Sequence, residues 1–126
     1  MALTEILSAH PEEVAVTELA DAIEALLDCA GHCDACADAC IGEEHDMSRC
    51  ARSCLDCADV CRATAAVLAR ASASATPWRD LVELCARVCD ACAEECGSHE
   101  ADHCRVCAAA CRRCAEACRA LVEATA

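Results

Sequence analysis

Apolar and small residues recur along this chain with the period of an α-helix, in four stretches separated by short polar breaks. The first predicted helix opens on Pro11-Glu12-Glu13, where proline suits the first turn and the acids suit the helix dipole, and it runs to Ile41 with Gly42 as its stop. Asp46 is the candidate N-cap of a second helix over 46–71, and Ser72 to Thr76 break the pattern after it. Thr76-Pro77 opens a third helix over 77–96, stopped by Gly97, and Ser98 is the candidate cap of a fourth over 98–123. A short helical turn at Leu3 to Ala9 carries only a weak signal.

The two halves of the chain repeat each other. Residues 29–40 align with 85–96 and residues 50–63 with 107–120, so each half is a helical hairpin. Connections of a few residues force antiparallel neighbours. The expected fold is therefore all-α, an antiparallel up-down-up-down four-helix bundle with a cysteine-lined core, forming a single domain over 1–126.

Cysteine occupies the inner stripes. Cys29, Cys33, Cys36 and Cys40 are separated by 4, 3 and 4 residues, and so are Cys50, Cys54, Cys57 and Cys61, then Cys85, Cys89, Cys92 and Cys96, then Cys107, Cys111, Cys114 and Cys118. Cys104 adds an extra member three residues upstream of the last run. At about 100° of turn per residue, each run stays within a stripe roughly 60° wide, so four helices each carry a row of thiols. Composition agrees with that placement. The chain has one Trp and no Phe or Tyr, so its 57% hydrophobic fraction rests on Ala, Cys and modest Leu, Val and Ile.

Alternating topology gathers the remaining residues at two ends. Leu19, Ala22, Ile23, Leu26, Leu68, Trp78, Val82, Leu121 and Val122 extend the stripes into an apolar plug. The opposite mouth gathers Cys40, His45, Asp46, Met47, Cys50, Cys96, His99, Glu100, His103 and Cys104. His99 and His103 lie one turn apart, a spacing that can chelate metal, and Met47 offers a soft thioether. His32 falls about 70° from the centre of its cysteine stripe and faces the bundle edge, while His10 reads as a loop residue. Val60, Val67, Leu84 and Val88 fall beside or behind the stripes, where they could line an oligomer contact.

Charge and cysteine number narrow the function. A formal net charge of −13, from 23 acidic and 10 basic residues, argues against nucleic acid and anionic membranes as partners. Cysteine above about 10% of a short chain usually means an exported disulfide scaffold. Here residues 1–10 have no basic or long apolar stretch and the first basic residue is Arg49, which points to a cytoplasmic location. The cysteine number, 17, is odd, and neighbours on one helix present nearly parallel Cβ vectors unsuited to bridging.

Clustered thiolates select Cu(I), Zn²⁺ or iron–sulfur clusters. Zinc favours isolated tetrahedral sets, and the familiar ferredoxin spacings are absent from this sequence. Cu(I) tolerates two or three thiolates and bridging sulfurs, and each Cu⁺ offsets one thiolate charge in a crowded interior. Storage of multiple Cu(I) ions per chain is the leading reading. A zinc-thiolate bundle, a thiol redox or oxidant-buffering protein and a structural disulfide bundle are the alternatives. No phosphate-binding glycine loop, GxSxG or zinc-hydrolase helix motif suggests an enzyme.

Four CxxxCxxCxxxC helices over residues 11–122 resemble the cysteine-rich bacterial copper storage proteins, in their signal-less cytosolic branch. The resemblance implies a bundle loading many Cu(I) ions on the sixteen ladder cysteines and Cys104, a homotetramer, and metal passing an open end helped by His, Met or Asp. His99, His103, Met47 and Asp46 match that role by location. A copper chaperone or a small thiol would be the exchange partner.

Overall fold

The computed structural model describes residues 2–70 and 76–125. Five helices carry them: α1 (Ala2–Ser8), α2 (Val16–Ile41), α3 (Ser48–Leu68), α4 (Trp78–Gly97) and α5 (Asp102–Ala124). The long helices form a ring in which α2 packs on α3 and α5, and α4 packs on α5 and α3. Short α1 packs on α2, with Leu7 buried in the core. The all-α antiparallel four-helix bundle expected from the repeats is the architecture observed, with α1 as an addition to it.

The helix ends differ from the expected ones for identifiable reasons. Pro11 does not open the first long helix, which begins five residues later at Val16. It instead follows the end of α1 by three residues, where a residue without an N–H cannot continue a helix. His10 Nδ1 accepts the Glu12 N–H at 2.9 Å in the connecting segment. Asp46 acts one residue outside the expected cap position: its Oδ1 accepts the Ser48 N–H at 2.9 Å, while Met47 is the N-cap residue. The second long helix ends at Leu68, and 72–75 of the expected break lie outside the described residues. Pro77 stands at the N-cap of α4, one position earlier than expected.

Ser98 belongs to the helix before it. Its hydroxyl donates to the Glu95 carbonyl at 2.6 Å and completes α4, so α5 starts at Asp102 instead of at 98. An acid in the first turn of α5 suits the dipole there.

Antiparallel register is visible in the sulfur pairs. Between α3 and α4 the rungs are Cys50–Cys96 at 3.7 Å, Cys54–Cys92 at 3.9 Å, Cys57–Cys89 at 3.8 Å and Cys61–Cys85 at 3.9 Å. Each step along one stripe is matched by an equal step back along the other, as the shared 4-3-4 spacing requires. Alanine makes this approach possible. Ala30 and Ala37, Ala51, Ala58 and Ala65, Ala86 and Ala93, and Ala108 and Ala115 are all buried at seven-residue intervals, most of them directly after a ladder cysteine. Small side chains beside the stripe let neighbouring backbones come close enough for short thiols to meet.

Below the lattice, Leu26, Leu68, Val82 and Leu121 are fully buried and close the base, joined by Leu19, Ala22 and Ile23. Trp78 and Val122 are only partly buried against this plug. Val60 and Val88 pack on the core, whereas Leu84 stays 46% exposed. Replacing Leu26 with Ala should cost the apo protein about 2–5 kcal/mol through the cavity left behind. Ala58→Leu should cost about 1–3 kcal/mol by overpacking a helix interface. Urea unfolding of the apo protein under reducing conditions measures both.

Candidate metal centre

All seventeen cysteines are free and buried. The stripes on α2, α3, α4 and α5 place them there, with the large buried apolar side chains Leu19, Ile23, Leu26, Leu68, Val82 and Leu121 of the same helices in the base plug. Their sulfurs fall into overlapping four-membered sets whose atoms lie within 4.8 Å of one another. Near the base stands Cys29, Cys61, Cys89 and Cys114, followed by Cys29, Cys33, Cys57 and Cys111, and then by Cys33, Cys92, Cys107 and Cys111. Toward the mouth come Cys36, Cys50, Cys54 and Cys96, and finally Cys36, Cys40, Cys50 and Cys104.

Separations decide what such sets can hold. Hydrogen-bonded sulfur pairs lie from 3.5 Å apart, for Cys54–Cys96, to 4.0 Å, for Cys92–Cys96. With metal–sulfur bonds of about 2.3 Å, three trigonal sulfurs stand about 4.0 Å apart, four tetrahedral ones about 3.8 Å, and two linear ones about 4.6 Å. The lattice therefore already suits three- and four-coordinate sites, and small rotamer changes open a pair for two-coordination. Sharing separates the metals. Cys29, Cys33, Cys36, Cys50 and Cys111 each belong to at least two sets, so isolated tetrahedral ions cannot fill all of them, whereas bridging thiolates can.

Neutral thiols make the empty lattice tenable. Burial, reinforced by the nearby Cys107, Cys104 and Cys40 sulfurs, holds Cys36 above the ordinary thiol range. Burial, with Cys40 beside it, also raises Cys104. Burial pushes Cys50 up to about 12. Thiolate formation in the interior thus needs a cation to accompany it.

The structure brings His103 into the lattice. Its Nδ1 lies 3.3 Å from Cys36 Sγ and 3.6 Å from Cys104 Sγ, and its Nε2 donates to Glu43 Oε2 at 2.9 Å. His99 lies in the loop between α4 and α5 and not one helical turn from His103, half-buried with Nε2 donating to Glu95 Oε2 at 2.8 Å. Met47 is buried and lines two recesses. One of about 180 Å³ also touches Cys40, His45 and Asp46, and one of about 390 Å³ touches His45, His99 and Glu100. Asp46 is exposed, and the Ser48 backbone N–H holds its carboxyl below the usual range. His32 sits on the side of the bundle and bonds the Asp28 carbonyl region instead, with Nδ1 at 2.8 Å from that oxygen. Glu43 carries no signal in the cysteine spacing and only the folded ends bring it to His103, whereas Glu95 stands four residues before His99 and meets it locally.

This architecture defines a soft-metal thiolate store, and the chain belongs to the copper storage protein family, whose model matches residues 15–123. It is similar to the cysteine-rich protein YhjQ of Bacillus subtilis (strain 168), at 41% identity over 91 residues, covering 70% of this chain and 81% of that protein. Its fold matches the copper storage protein Ccsp of Streptomyces lividans, loaded with 10 copper equivalents, with a TM-score of 0.90 and 44% identity over 96% of this chain and 98% of that one. Apo-Csp3 from Bacillus subtilis matches with a TM-score of 0.73 and 39% identity over 80% of this chain and 95% of its own. The Cu(I)-bound BsCsp3 structure matches equally well, at 0.73 and 38%, over 80% and 94%.

A pH dependence follows from the raised thiols. A thiol whose folded pKa exceeds its unfolded value stabilises the fold fully below the unfolded value, and that contribution is lost as pH rises through the folded one. For Cys50 that window runs from 9.0 to about 12. Apo-protein unfolding midpoints should therefore fall across this range. Loading near neutral pH should release protons to the buffer as thiols become thiolates, which calorimetry in buffers of different ionisation enthalpy detects.

Proposed function

We propose that this chain stores Cu(I), holding many ions on Cys29, Cys33, Cys36, Cys40, Cys50, Cys54, Cys57, Cys61, Cys85, Cys89, Cys92, Cys96, Cys104, Cys107, Cys111, Cys114 and Cys118. The observation that carries this reading is the overlap of the four-sulfur sets, which favours a bridged lattice over separate sites. Each arriving Cu⁺ replaces a thiol proton and balances one thiolate, so the interior fills without accumulating charge. Storage needs no catalytic step, and the chain works as a non-enzymatic buffer that keeps copper from other thiols.

In this reading the mouth residues His99, His103, Met47 and Asp46 pass copper inward, with His103 nearest the sulfurs. The site of action is the cytoplasm and the working form a homotetramer, for which exposed Leu27, Leu55, Leu84 and Val106 offer apolar surface. No described helix is long and apolar enough to cross a membrane. A copper chaperone or small thiol is the exchange partner.

Anaerobic titration with Cu(I) against a chromophoric competitor, beside a parallel zinc titration, tests the proposal. Uptake should rise well above about four ions per chain, the ceiling for separate tetrahedral sets built from seventeen thiols. Cys111→Ser removes a sulfur common to at least two sets and should lower uptake by about one to two ions. Saturation near four ions, or preference for zinc, sinks the storage reading. Size-exclusion chromatography with light scattering measures the assembly.

A further inference from the structure

Both half-buried histidines at the mouth hand their Nε2–H to a glutamate: His103 to Glu43 at 2.9 Å and His99 to Glu95 at 2.8 Å. An ionised carboxylate only accepts, so Nε2 carries a proton, and in an uncharged ring the lone pair then sits on Nδ1. For His103 that lone pair faces Cys36 at 3.3 Å and Cys104 at 3.6 Å. Cys36 belongs to both mouthward sulfur sets and Cys104 to the outer one. One nitrogen and two sulfurs therefore converge where the lattice meets solvent.

We propose that Glu43 is a positioning residue for copper uptake, fixing His103 in the Nε2–H tautomer so that Nδ1 is presented to a Cu(I) ion passing to Cys36 and Cys104. The inference rests on the storage reading. In the opposite tautomer Nδ1 would carry the proton and the ring would have no donor atom toward the sulfurs. Orientation, not charge, is the effect, because Glu43 and His103 side chains are 30% and 27% exposed and solvent screens their attraction. A carboxylate on the far nitrogen of a metal-binding histidine is a common means of setting tautomer and ring plane. Glu43 reaches this place from the loop after α2, and His103 from the first turn of α5, so only the closed bundle assembles the pair.

Nitrogen-15 spectra of the histidine rings in the apo protein read the tautomer without any copper. His103 should show the Nε2–H form, Glu43→Ala should lose that preference, and Glu43→Gln, whose amide oxygen still accepts, should retain it. In anaerobic rapid mixing with a chelator-bound Cu(I) donor, Glu43→Ala should slow uptake of the first equivalents about 10- to 100-fold while final capacity stays that of the parent. His103→Ala should slow it as much, and the double variant no further, because the glutamate acts only through the ring. An Nδ1–H tautomer in the parent protein, or additive slowing in the double variant, overturns the assignment. A parent chain that takes up no copper overturns the storage reading instead, and the ring spectra still decide the tautomer.

Discussion

Sulfur packed against sulfur in a dry interior is the constraint on which this molecule depends. Seventeen thiols fill the volume that leucine would fill in an ordinary bundle, many of them in hydrogen-bonded pairs with sulfurs 3.5–4.0 Å apart. Neutral, they behave as small hydrophobes joined by weak S–H contacts, and the bundle closes around them. Ionised without a partner, they would carry the full cost of buried charge. A monovalent soft cation removes that cost one thiolate at a time, so the same packing serves an empty and a filled store.

Two further features follow from that constraint. Because cysteine is short, opposing helices have to come close, and buried alanines at seven-residue intervals provide the room. Because cysteine is a poor filler of a wide end, the base is closed by Leu26, Leu68, Val82 and Leu121, and the polar residues gather at the other end. The mouth differs from the base in chemistry as well as packing. There the sulfurs meet an imidazole, a thioether and carboxylates, groups that can meet hydrated copper at the surface and soft sulfur beneath it.

Much of this was legible in the residues. The 4-3-4 spacing has one helical interpretation, and its fourfold repetition with short links leaves few topologies, which is why the thiol-lined bundle and its closed base could be read directly. Helix ends were less legible. Pro11, Ser98 and Asp46 each carry a start signal, yet Pro11 follows a short helix, the Ser98 hydroxyl completes the helix before it, and Asp46 bonds from one position further out. A capping residue can serve either side of a tight connection, and the choice depends on which backbone groups the packed helices leave unpaired.

The sequence by itself determined the class of interior: a period that stacks thiols on one face of each helix cannot yield any other core, because helical geometry is local and needs only the chain. Which sulfurs stand together across helices, and which carboxylate holds His103, were decided by tertiary structure alone. Cys36, Cys104, His103 and Glu43 come from two helices and a loop. Their meeting depends on helix rotation and register to within a fraction of a bond length, quantities set by side chains interlocking across the whole bundle and by no spacing along the chain.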